Sequence, residues 1–180
     1  KELKEKGFGQ EVYEEKLENN HVWVSGLPQA DNWDDAEEPK PAKFDVGGHA
    51  TDIHWSPAGD LLAVAVAPTP LIDDHYMKRK VHVIQAGDGS QVGVIKNPGK
   101  LGSFHFSPDG RKVALLAGAH INDPNPGRLM VAPSSGGTPV DILPNLSDGD
   151  VTDLAWKVKD EILFLSDRGV TSSLGSVDSE

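Results

Sequence analysis

Ser103-Phe104-His105-Phe106-Ser107-Pro108-Asp109-Gly110-Arg111-Lys112-Val113-Ala114-Leu115-Leu116 is the stretch whose pattern decides the fold. Apolar and polar residues alternate into a tight turn, and a second apolar run follows. Pro108 presets the backbone angle at the second turn position, and Gly110 accepts the left-handed conformation that follows. Two β-rich runs joined in this way predict a hairpin. Upstream, Asp52-Ile53-His54-Trp55-Ser56-Pro57-Ala58-Gly59-Asp60-Leu61-Leu62-Ala63-Val64-Ala65 repeats the pattern. Downstream, Asp153-Leu154-Ala155-Trp156-Lys157-Val158-Lys159-Asp160-Glu161-Ile162-Leu163-Phe164-Leu165 repeats it more weakly. Trp55, Phe106 and Trp156 anchor the three copies, 51 and 50 residues apart.

Each repeat continues past its hairpin. Val81–Ile84 and Val92–Ile95 flank a glycine-rich turn at Ala86–Ser90, and Arg128–Val131 and Val140–Leu143 flank another at Pro133–Gly137. The period-two apolar spacing, broken by Pro and Gly, excludes a helical solenoid. Four short strands in about 50 residues are the mark of a propeller blade. The sequence therefore predicts an all-β fold. It is a partial β-propeller of about three four-stranded blades, with repeats near 51–95, 101–143 and 151–178, plus part of a preceding blade. The partial blade is read from His21-Val22-Trp23-Val24 and Ala42–Val46, within a propeller region spanning 21–180. Lys1–Asn20 is a charged segment in which one or two helical turns are expected, and Asp31–Glu38 is an acidic loop. Closed propellers need about four to eight blades, so the remainder is expected on a longer chain, a second chain or a second copy pairing through open blade edges.

Composition narrows the function. The chain has 180 residues with 17 Lys plus Arg against 28 Asp plus Glu, a net charge of −11. That balance argues against nucleic-acid and anionic-membrane partners, which need a positive face. There is no cysteine, which excludes disulfides, thiolate metal sites and a cysteine nucleophile. No apolar run approaches the ~18 residues of a membrane span.

The repeats resemble those of TolB-type propellers, with Ser107-Pro108-Asp109-Gly110 and Gly136-Gly137-Thr138-Pro139 as the best matches. Lys157–Asp160 departs from the turn pattern. A narrower resemblance joins Gly7-Phe8-Gly9-Gln10-Glu11-Val12-Tyr13-Glu14, His21–Val24 and Ile162–Gly175 to the N-terminal propeller of prolyl oligopeptidase family serine peptidases, of the acylaminoacyl-peptidase or dipeptidyl-peptidase type. That resemblance implies a non-catalytic segment gating short peptides into a separate α/β-hydrolase domain. It also implies a periplasmic or secreted protein, with a cytoplasmic one as the alternative. No serine here stands in a Gly-x-Ser-x-Gly elbow, so the chain carries no catalytic residue of that kind. The alternative function is a TolB-like scaffold or protein-binding propeller without enzymatic activity. An independent lactonase-like propeller ranks last, because its inward carboxylates are replaced by His54, His105 and Ala155.

No cofactor or metal is expected. The seven histidines include no His-x-His or His-Glu-x-x-His spacing. His54 and His105 hold equivalent repeat positions and are read as structural or channel-lining, and His49 as a turn residue. Asp148, Asp150 and Asp153 read as turn chemistry. Gly87 and Gly89 lie between strands and do not open a helix, which excludes a dinucleotide loop. The better candidates are two long connections, Ala67–Lys80 and Gly118–Gly127. Both join the second and third strands of their blades and emerge on one face, where binding groups concentrate. Their candidate residues for a substrate or partner are Asp73, Asp74, His75, His120, Asn122 and Asp123.

Overall fold

The structure is a computed structural model that describes residues 5–7, 16–27, 39–146 and 149–180. Asp31–Glu38, Asp148 and most of the Lys1–Asn20 segment lie outside the described residues.

The strands are β1 (Val22–Val24), β2 (Ala42–Phe44), β3 (His49–Trp55), β4 (Leu61–Ala67), β5 (Lys80–Gln85), β6 (Gln91–Ile95), β7 (Leu101–Phe106), β8 (Lys112–Gly118), β9 (Gly127–Pro133), β10 (Val140–Asp141), β11 (Asp150–Val158), β12 (Glu161–Arg168) and β13 (Thr171–Asp178). A short helix, α1 (Ile72–Met77), interrupts the connection between β4 and β5. The strands form antiparallel sheets in the orders β1-β2, β3-β4-β5-β6, β7-β8-β9-β10 and β11-β12-β13. This is a partial propeller: two four-stranded blades, a three-stranded third blade and an outer pair before them. Two expectations need correction. Ala67–Lys80 is not a plain loop, because α1 occupies its middle. The strand expected through Leu143 stops at Asp141, although the Ile142 amide still donates to the Leu129 carbonyl at 3.0 Å.

The hairpin turns explain the recurring serine. Ser56 and Ser107 are 4% and 0% exposed. Each hydroxyl accepts the amide of the next strand's first residue, Leu61 or Lys112, at 2.9 Å. Each also donates to a turn carboxylate, Asp60 or Asp109, at 2.7 Å. Gly59 and Gly110 take φ of 75° and 72°, a region that only glycine enters freely.

Blade stacking follows from strand alternation. Between the first and second blades, Phe104, Phe106, Val113 and Leu115 pack on Ala63, Ala65, Val81 and Val83. Between the second and third, Leu154, Ile162 and half-buried Trp156 pack on Ala114, Leu116, Leu129 and Val131. The outer pair covers the other side of the first blade, with Val22 and Phe44 on Leu62, Val64 and Ile84. First-strand residues at positions 104 and 106, or 154 and 156, thus always face the preceding blade. The outer rim of the first seam is tight. A Cβ on Gly93 would lie 2.0 Å from the Ser135 carbonyl oxygen, where the Gly137 amide donates to the Val94 carbonyl at 2.9 Å.

Candidate functional site

The two elaborated connections emerge at one rim of the first and second blades. They border a common connector, residues 96–100, that carries the chain from β6 to β7. Asn97 is 1% exposed, and its side-chain amide donates to the Arg79 carbonyl at 3.1 Å and the Gly99 carbonyl at 2.8 Å. Lys80 donates to the Asn97 carbonyl, and burial pulls the Lys80 ammonium below the ordinary lysine range. Arg79 forks between the Asp52 carboxylate at 2.7 Å and the Leu101 carbonyl at 2.9 Å, so it ties the first blade to the second. On the far side of the connector the Gly118 amide donates to the Lys100 carbonyl at 3.0 Å.

The α1 side is fixed from within. Pro68 and Pro70 cannot continue β4, and Thr69 turns its hydroxyl onto Asp74 at 2.6 Å. Lys78 pairs with the same carboxylate at 2.7 Å, one helical turn later. The hydrogen bond from Lys78, then that from Thr69, holds the Asp74 carboxyl below the usual carboxylate range. Asp74 is only 7% exposed, and with both partners it anchors α1. Asp73 is exposed, and His75 lies edge-on to Tyr76 with ring centroids 5.4 Å apart. His49, expected in a turn, instead opens β3 and accepts the Asn20 amide on Nδ1 at 3.0 Å. Burial, then the nearby charge of His75, lowers its pKa.

The 118–127 side is organised by Asn125. Its amide nitrogen donates to the His120 carbonyl at 2.6 Å, and its oxygen accepts the Ala119 amide at 3.3 Å. Asp123 pairs with Lys100 at 2.5 Å, while His120 and Asn122 are exposed. Asp150 accepts the Gly127 amide and closes the connection, so it serves as a structural acceptor there. Between this connection and the connector lies a cleft of about 240 Å³, lined by Lys100, Gly102, Leu116, Gly118, Asn125 and Gly127, among others.

The six residues expected to form the site therefore divide. Asp73, His120 and Asn122 are exposed, His75 is half-buried beside Tyr76, Asp123 is half of an ion pair and Asp74 is an internal strut. Among the described residues no hydrogen bond or ion pair runs directly from one connection to the other; the connector joins them. Sequence reasoning missed Asn97 and Lys100, whose Asn-Pro-Gly-Lys setting reads as an ordinary turn, and Arg79, which stands among the basic residues before β5. It also missed the apolar character of the rim. Leu71, Ile72, Tyr76 and Ile121 are 39%, 45%, 60% and 41% exposed. Among the described residues no three His, Asp or Glu side chains converge as a cation site needs.

No family model and no curated protein matches this sequence. Solved structures do. The putative TolB from Agrobacterium tumefaciens superposes with a TM-score of 0.51 at 18% identity, over 77% of this chain and 46% of that one. The fold is TolB-like. TolB from Acinetobacter baumannii gives the same TM-score of 0.51 at 14% identity, over 78% of this chain and 32% of its own. The chain thus spans about half or less of these TolB-like neighbours.

Proposed function

We propose that this TolB-like segment is a non-catalytic binding scaffold, and that its rim of α1 and residues 118–127 takes an extended peptide or a protein surface. The supporting observation is the exposure of Leu71, Ile72, Tyr76 and Ile121 on backbone held rigid by Asn97, Arg79, Asp74 and Asn125. Large apolar and aromatic side chains on a fixed frame are the anchors from which interfaces gain most of their energy. Rigid loops also lose little entropy on binding. The net charge of −11 favours partners that are neutral or basic around those anchors.

A finer reading makes the same rim the gate of a serine peptidase, passing short peptides to a hydrolase domain outside this chain. It rests on the resemblance at Gly7–Glu14 and Ile162–Gly175 and includes the periplasmic or secreted location. A Gly-x-Ser-x-Gly elbow followed by Asp and His in the same gene is its direct test. The scaffold reading is tested by selecting a displayed random peptide library on the folded chain. Enrichment that disappears in Tyr76→Ala and Ile121→Ser but survives Val170→Ser, on a distant hairpin tip, supports it. Enrichment indifferent to Tyr76 and Ile121 overturns it.

A further inference from the structure

The first strands β3, β7 and β11 lie side by side, and a histidine pair spans the first of their seams. The His54 ring stands edge-on to His105 with centroids 4.9 Å apart, and to Phe104 at 4.8 Å. Strand alternation places His54 and His105 on the faces opposite Ile53 and Trp55, and opposite Phe104 and Phe106. Both rings are half-buried. Directly behind them the Trp156 indole donates to the His105 carbonyl at 3.1 Å, so β11 is fastened to β7 at the same residue.

We propose that the His54–His105 pair is an acid-sensitive latch that holds the first and second blades together when neutral and loosens the seam when both rings are protonated. Neutral imidazoles can stack edge to face on each other and on Phe104 without cost. Two imidazolium rings at this separation oppose each other in a site only partly open to water, where screening is weak. The charged groups around the pair are few. From β3, Asp52 is occupied by Arg79 at 2.7 Å and offers the rings little compensation. From β11, Asp153 is the carboxylate whose charge favours protonated His105, while its Oδ1 already accepts the Leu154 amide at 2.8 Å. Burial, then the charge of His54, outweighs Asp153 and leaves His105 harder to protonate than a free histidine. Protonation of clustered histidines at about pH 5–6 is a general means by which packed interfaces respond to acid. The latch stands on hub geometry alone. It goes beyond the binding reading, adding only that acid would change the spacing of the two blades that carry the rim.

Hydrogen exchange on the 180-residue chain, corrected for intrinsic rates, tests the latch between pH 7.5 and 5.0 without any ligand. The expected result is a loss of protection in β7, on the order of tenfold relative to β12, as the solution is acidified. His54→Gln and His105→Gln, each unable to charge, should both abolish that loss. Asp153→Asn withdraws a group that favours charging of His105, so it should move the transition to lower pH, which a merely structural histidine would not do. Unchanged protection across the range, a response that persists in both glutamine variants, or a transition indifferent to Asp153→Asn overturns the latch.

Discussion

Phe106 and Trp55 occupy the same place in successive repeats, yet one is 7% exposed and the other 54%. Their partners two residues back behave alike, Phe104 at 1% and Ile53 at 44%. The strands carrying them have the same direction, the same turn and the same alternation. What differs is the neighbour. Phe104 and Phe106 meet the second and third strands of the first blade, whereas β1 and β2 are an outer pair and leave Ile53 and Trp55 open. Trp156 confirms the rule from the third blade, where it faces the second and is half-buried. Repeat position therefore sets the direction of a side chain. Burial is set by whatever stands opposite.

The sharpest way to break this comparison is a pair of truncations. Phe104→Ala should cost about 3–5 kcal/mol in denaturant unfolding, the range for removing a well-packed aromatic. Ile53→Ala, at the matching position, should stay within about 1 kcal/mol. Equal costs would show that the two faces are equally covered. A second pair probes the outer rim. Gly93→Ala drives a methyl into the Ser135 carbonyl and should destabilise by about 1–3 kcal/mol. Gly87→Ala, with nothing within 4 Å of its Cβ, should change the unfolding midpoint little, within about 0.5 kcal/mol. A third concerns the turns. Ser107→Ala leaves the Lys112 amide without its side-chain acceptor and should cost about 1–2 kcal/mol. Substitution of Lys159 in the third hairpin, which lacks that serine, should be close to neutral.

The smallest effect is the pH dependence. Burial is the first cause that lowers the pKa of His49, His82 and His105 in the folded chain. The unfolded chain then binds more protons near neutrality, so stability rises with pH there. The contribution is complete above the unfolded value of about 6.5 and is lost as pH falls from there through the folded values. Urea midpoints should drop between pH 7.5 and 5.0, and the drop should shrink in His82→Gln, whose wild-type ring has a buried Nδ1 without a partner.

Much of the fold was legible because the turn chemistry is local. Ser56 and Ser107 announce their hairpins through contacts within five residues, and the near-constant repeat spacing carries the blade count. The rim was only half legible. The two connections were placed by their matched position between second and third strands, but α1 was not foreseen, since Pro68 and Pro70 precede it and six residues carry little helical periodicity. Asp74 looked like a surface carboxylate because its struts, Thr69 and Lys78, become partners only once α1 forms. Asn97 bridges residues far apart in sequence, which spacing alone does not reveal. The exposure of Trp55 was illegible for the same reason: alternation tells which face a residue takes, not what covers that face.

The most direct test of the rule linking repeat position to facing uses single-tryptophan variants, with the other three tryptophans changed to Phe. Acrylamide quenching of Trp55 and Trp156 then reports the two equivalent positions separately. The repeat stacking seen here requires Trp55 to be quenched several-fold more readily than Trp156 and to emit at longer wavelength, as an open indole does beside a covered one. Indistinguishable quenching, or a more accessible Trp156, would contradict it.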